Sequence, residues 1–341
     1  MPPLPHEVLS VVARRVPAAL VSAEALTSIL DYSRRLPPAF NWLGFECRLA
    51  TDDPRVDFAG CCEAWNGGRK KLERALTNSP ELLGPGPTAL IREWADPGSL
   101  LFRASPAVWL EFDFLGGAPV PFAFLCLDPA CADTFFTRSE APPPPSDVLL
   151  AAAERGATLL CERGTCPGLA VLRRCVAALP PGGRALHVAA TPHRGTLDLR
   201  LHFALSADEV PGWLRAIDWP GDHASVADAL ALLGVGFRQI GVQLDAGAAL
   251  RPMLGLEAYV SHGPAEFDAW SQALAALEAA GLCDPRKSRA VFDWWGHELA
   301  SLPSTSCRVH LVRQFYLKLS LNPGALAAKM YLAIFTRNAA L

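Results

Sequence analysis

Apolar residues recur at every second position in five pairs of short segments. "WLGFECRLA" precedes "RVDFAGCCEAW", "AVWLEFDF" precedes "PFAFLCL", and "ALHVAATP" precedes "LDLRLHFAL". "GFRQIGVQL" with "MLGLEAYVS", and "RVHLVRQFYLKLSL" with "AAKMYLAIFT", complete the series. Successive side chains of an extended chain point to opposite faces, so each segment predicts a strand with one apolar side. Short turn-rich joints predict that the members of each pair form antiparallel hairpins. Between hairpins the apolar spacing changes to three and four, which predicts helices over "SDVLLAAAERGATLL" and "PGLAVLRRCVAAL". "SADEVPGWLRAI" opens with Ser206 and Glu209 at capping-box spacing, although Pro211 limits how cleanly that turn can form, and "AEFDAWSQALAALEAAG" stops at a glycine. "DWWGHE" (Asp293 to Glu298) reads as a helix end whose two tryptophans pack inward. "LLGPGPT", "APPPPSD" and "LPPGGR" read as stiff connectors, too short for disordered linkers. The expected domain is a single α+β unit over 1–341, with a helical lead-in over 1–40 and repeated αββα units over 41–341.

The opposite side of every hairpin is polar. Glu46 and Arg48 share a face, as do Trp109, Glu111 and Asp113. Asp198, Arg200 and His202 alternate with leucines; Glu257 and Tyr259, Tyr316 and Lys318, and Lys329 and Tyr331 follow the same rule. Amphipathic helices would cover the apolar side of one continuous sheet. An open sheet would turn its polar side to water. A closed ring of ten strands would instead enclose a space wider than the eight-stranded case that side chains just fill. The abundance of Tyr and of paired opposite charges favours closure, because Tyr combines an apolar body with a polar tip.

Alternating helices and hairpins that build a ten-stranded antiparallel barrel with helices outside resemble the aromatic prenyltransferases, the ABBA or PT-barrel family. The likeness runs from about Trp42 to Phe335 and includes a Lys-x-Tyr pattern at Lys329 and Tyr331, reversed at Tyr316 and Lys318. It implies transfer of a prenyl group from an allylic diphosphate to an aromatic or peptide acceptor in secondary metabolism. Arg48, Arg200, Lys318 and Lys329 would grip the diphosphate, while Tyr259, Tyr316 and Tyr331 shield the allylic cation. Glu111 would orient the nucleophilic ring or take its proton, with Glu46 next and Asp113 a further catalytic candidate, while Glu257 and Trp109 complete the substrate-binding lining. No DDxxD-type motif is present, which implies no obligatory cofactor, Mg²⁺ entering only alongside a prenyl diphosphate donor.

The sequence departs from the family in placing His202 where a second cation is usual, and in its surplus of acids. That surplus suits an alternative: a ribosomal-peptide-modifying (RiPP) enzyme such as a thioether (lanthionine) cyclase, using His202, Asp198 and Tyr316 for acid–base chemistry without diphosphate. A non-catalytic peptide-binding scaffold, serving a partner enzyme of a peptide pathway, is a third reading.

Composition narrows the classes further. Net charge is −3 and hydrophobic residues make up 51% of 341, enough for a large core but without the basic clustering a nucleic-acid binder needs. No 18-residue apolar run and no secretory signal are evident, so a cytoplasmic protein without a membrane span is expected. The ten cysteines form no CxxC pair and lie mostly in apolar segments, which predicts reduced, buried, structural residues and no metal site.

Overall fold

The computed structural model describes residues 2–51, 53–64, 67–114, 119–128, 145–161, 166–190, 198–258 and 264–338. Two helices, α1 (Pro5–Val12) and α2 (Ala23–Ser33), lead into β1 (Trp42–Arg48) and β2 (Val56–Glu63). Next come α3 (Gly68–Asn78), α4 (Pro85–Ala95), α5 (Leu100–Ala104), β3 (Ala107–Asp113) and β4 (Val120–Cys126). The third unit is α6 (Ser146–Leu160), α7 (Leu169–Ala177), β5 (Arg184–Ala190) and β6 (Leu199–Ser206). The fourth is α8 (Val210–Ala216), α9 (His223–Leu233), β7 (Gln239–Ala246) and β8 (Leu250–Ala258). The last is α10 (Pro264–Ala279), α11 (Pro285–Trp294), β9 (Gly296–Ala300), β10 (Val309–Asn322) and β11 (Ala325–Asn338).

Every neighbouring strand pair is antiparallel, and the sheet closes. Strands β1 to β8 follow in order, β8 pairs with β10, β10 with β11, and β11 with β1, where Glu46 faces Tyr331 and Arg48 faces Lys329. The ring has ten strands. An eleventh, β9, lies outside it along Val309–Arg313 of β10. The sequence reading missed β9 because five residues after a helix carry too little periodicity; "HELA" is an edge strand with His297 and Leu299 turned to solvent.

Closure sorts the side chains. Phe45, Phe58, Phe112, Phe203, Phe315, Leu332 and Ile334 leave the ring outward and pack beneath the helices. Trp94 of α4, Trp270 of α10 and Trp294 of α11 are fully buried in that layer, with Trp270 5.1 Å from Phe315 and Trp294 6.3 Å from Phe45. The indole N–H groups of Trp94 and Trp294 donate to the carbonyls of Ser105 and Gln314, so neither aromatic strands a buried donor. Of the two tryptophans read as packing, Trp295 is 42% exposed, because its extended backbone turns it off the end of α11. "PGPT" opens α4 instead of serving as a connector, since proline fits the first helical turn, where its missing N–H has no partner to lose. At the other misread start, Ser206 ends β6 and α8 begins at Val210; the Glu209 carboxylate still accepts from the Ser206 N–H at 3.3 Å. Of "APPPPSD", 141–144 lie outside the described residues.

Inside the ring, Gly44 makes room for the Trp42 indole, which lies across the point where a Cβ would stand. Gly44→Ala should therefore cost roughly 1–3 kcal/mol in urea unfolding and disturb the near-UV signal of Trp42. Gly212→Ala, in a helix with open space at that position, should raise stability by about 0.5–1 kcal/mol. Equal effects from the two would refute the packing argument.

Candidate active site in the barrel lumen

The inward face of the ring is polar and forms three levels. At the end where the hairpin turns lie, a chamber with about 600 Å³ of free space is lined by Arg48, Asp57, Asp113, Asp198, Arg200, Asp245, Lys318 and Lys329, among others. At the other end, a narrower chamber with about 60 Å³ free is bounded by Trp109, Glu111, Phe124, His187, His202, Glu257, Tyr316 and Tyr331, with Arg184 and Gln239. Gln243 lines both. Between them the Tyr316 and Tyr331 rings, opposite each other on β10 and β11, stack at 4.4 Å and 10°.

Each lumen cation is held by acids. Arg48 donates to Glu46 at 2.8 Å and to Asp57 at 2.6 Å, and Lys329 shares Glu46 Oε1 at 2.8 Å. Arg200 grips Asp245 bidentately at 2.8 and 3.0 Å. Lys318 bonds Glu257 at 3.0 Å and the Gln243 carbonyl at 2.5 Å. Gly255 permits this crossing, since a Cβ there would stand 3.0 Å from Lys318 Cε and 3.1 Å from Gln243 Cβ. Burial alone would raise the Glu46 carboxyl, but Lys329, Arg48 and Lys318 outweigh it and hold the group well below the usual range. The same burial lowers the Lys329 ammonium, with Glu46 opposing and Arg48 and Lys318 adding. Asp57 moves upward because burial, Glu46 and Asp113 together exceed the pull of Arg48.

Glu111 differs. Burial, reinforced by the charge of Glu46 and opposed by Lys318 and Arg200, pushes its carboxyl up to about 8, so it is protonated at neutral pH. No hydrogen bond from the described residues reaches that carboxyl, and it borders the narrow chamber. His202 is its counterpart. Burial, with His187, Lys318 and Arg200, outweighs Glu257 and lowers the imidazole to about 3, leaving it neutral beside Glu257 Oε2 at 3.4 Å. The narrow chamber thus presents a neutral acid, a neutral imidazole and aromatic walls.

Most residues anticipated from the sequence converge on this lumen: Arg48, Glu46, Trp109, Glu111, Arg200, His202, Glu257, Tyr316, Lys318, Lys329 and Tyr331. Two belong to a different level than expected. Asp198 sits at the turn end of β6, bonded to Arg251 at 2.9 and 3.0 Å. Four residue steps along the strand carry it about 13 Å from His202. The set His202, Asp198 and Tyr316 is therefore not assembled. Asp113 likewise faces the larger chamber, near Asp57, not the aromatic one. Tyr259 lies outside the described residues.

The sequence reading missed Asp57, His187, Gln243 and Asp245. Asp57 and the pair Gln243 and Asp245 obey period two on strands already identified, so extending the alternation would have found them. His187 was hidden, because a register shift between Ala185 and His187 lets both Leu186 and His187 border the chamber. No three His, Cys, Asp or Glu among the described residues are arranged to hold a metal ion. No helix among them is long and apolar enough to cross a membrane.

No protein-family profile matches the sequence, and no curated protein matches it. Solved structures do. The prenyltransferase PriB in its apo form superposes with a TM-score of 0.56 at 12% identity, covering 97% of this chain and 95% of that one. AnaPT from Neosartorya fischeri gives 0.57 at 14% identity, over 98% and 92%. With the closed ten-strand ring and helices outside, these likenesses show that the chain has the PT-barrel fold of the aromatic prenyltransferases.

Proposed function

We propose that the barrel moves a prenyl group from an allylic diphosphate to an aromatic acceptor. The observation that supports this best is the order of groups along the lumen: a belt of Arg48, Arg200, Lys318 and Lys329, then the stacked Tyr316 and Tyr331, then the aromatic chamber with Glu111. Negative charge grows on the leaving diphosphate as the allylic C–O bond breaks, and clustered cationic donors stabilise it. The tyrosine pair borders the path the cation would follow, with ring faces suited to it. The acceptor carbon attacks the allylic carbon and then loses its proton. Protonated Glu111 donates a hydrogen bond that orients the acceptor, and the departing proton is taken by the Glu257 carboxylate, which stands 3.4 Å from neutral His202.

The pairing of each cation with a carboxylate favours a second reading: proton chemistry on a peptide substrate without diphosphate, such as thioether closure, with Glu111, His202 and Glu257 as acid and base. One experiment separates the two. Purified protein is incubated with dimethylallyl or geranyl diphosphate and Trp- or Tyr-containing acceptors, and products are read by mass. Donor affinity is measured for Lys318→Ala and Lys329→Ala. The transferase reading expects each substitution to weaken donor binding roughly tenfold or more, since a hydrogen bond to a charged group is worth about 1.5–3 kcal/mol. Absent diphosphate binding by the parent protein, or unchanged affinity in both variants, removes it.

A further inference from the structure

Outside the lumen, one pair of side chains has no part in the chemistry above. Cys161 caps the C-terminal end of α6 and is buried; Cys166 lies half-buried ahead of α7. Their sulfurs stand 2.8 Å apart. A disulfide spans about 2.05 Å, so bond formation asks for a movement of less than an ångström. Contact between two free thiols, one of them reachable from solvent, is the arrangement a dithiol–disulfide couple requires.

We propose that Cys161 and Cys166 are a reversible redox modification site, oxidised by a low-molecular-weight disulfide of the glutathione type. Cys166 is the attacking group. It accepts a hydrogen bond from the Cys161 thiol and a second from the Gly168 N–H, which together overcome burial and lower its pKa, whereas Cys161 is raised. The Cys166 thiolate attacks one sulfur of the oxidant and expels the other as a thiolate, leaving a mixed disulfide. Cys161 then attacks Cys166 Sγ, its proton passing to the second departing thiolate. The balance is two protein thiols and one small disulfide giving one protein disulfide and two small thiols.

The position of the pair gives the switch a path to the lumen. The turn after Cys166 contains Gly168, where a Cβ would stand 2.5 Å from the Ala246 carbonyl and 2.9 Å from the Leu199 side chain. Nothing larger than glycine allows that approach. Leu199 and Ala246 are cross-strand partners, and the next pair along, Arg200 and Asp245, is the bidentate ion pair of the larger chamber. Oxidation would therefore tie α6 to the segment seated directly behind one wall of the cation belt.

The test uses the full chain, reduced and then exposed to oxidised glutathione. The expected result is an intact mass lower by two hydrogens, a linked peptide containing Cys161 and Cys166, and full reversal by dithiothreitol. Cys161→Ser should stop at a glutathione adduct on Cys166, and Cys166→Ser should give neither the adduct there nor the linked peptide. If iodoacetamide still labels both residues fully after oxidation, or if the trapped adduct appears on Cys161 in the Cys166→Ser chain as readily as on Cys166, the assignment is wrong. The outcome is independent of prenyl transfer, because no donor is present.

Discussion

Arg200→Met should destabilise the folded chain by roughly 3–5 kcal/mol, the range measured when one partner of a buried ion pair is removed. Arg200 is 8% exposed and Asp245 9%, and they are joined through two parallel bonds. Removing the guanidinium leaves the carboxylate facing Asp57 and Asp113 across the same chamber without its main counter-charge. Its desolvation is then uncompensated. Replacing both residues, as Arg200→Met with Asp245→Leu, removes charge and counter-charge together and should recover most of the loss, since an apolar pair of similar volume is often neutral or better. Urea unfolding of the two variants beside the parent chain decides the matter. A double variant no more stable than the single one would mean that the pair is solvated and that the lumen wall is held by something else. The result also bears on function. If the pair is as strong as its geometry implies, a diphosphate must offer Arg200 at least as much as Asp245 does.

The strand pairs and their inward faces were legible because period-two alternation survives wherever one face of a strand meets a core and the other does not. "LDLRLHFAL" and "FYLKLSL" give their inward residues directly, and Arg200, His202, Tyr316 and Lys318 are where alternation puts them. Alternation says nothing about height along the barrel axis. Asp198 shares a face with His202, as expected, yet occupies the turn end of the strand and belongs to Arg251. Partner choice was equally hidden. That Glu46 would serve both Arg48 and Lys329, 283 residues apart in sequence from the latter, follows from the pairing of β1 with β11, which no local pattern encodes. Irregularity concealed the rest: the register shift beside His187, and β9, an edge strand lying outside the ring.

Glu111→Gln should leave stability nearly unchanged in mild acid and raise it progressively as the solution becomes alkaline. The sign follows from linkage. An unfolded Glu111 titrates at its ordinary 4.5, whereas the folded one is pushed up to about 8. Between those values the native state holds a proton that the unfolded chain has lost, so the parent protein loses stability as pH rises. Its advantage is complete below 4.5 and gone once pH passes 8. Gln keeps the shape of the protonated acid and does not titrate, so the variant escapes the loss. The gap should reach the order of 3 kcal/mol at pH 9, because a tenfold change in proton affinity corresponds to about 1.4 kcal/mol and Glu111 retains partial exposure to solvent. Urea midpoints of both chains from pH 5 to pH 9 measure it, and parallel curves would show that Glu111 is ionised and solvated. Catalysis supplies a second readout. If the neutral acid orients the acceptor, prenyl transfer by the parent protein should fall as pH rises through about 8, and this alkaline limb should be missing in the Gln variant. Activity that increases over the same interval would make Glu111 a base and reverse its role.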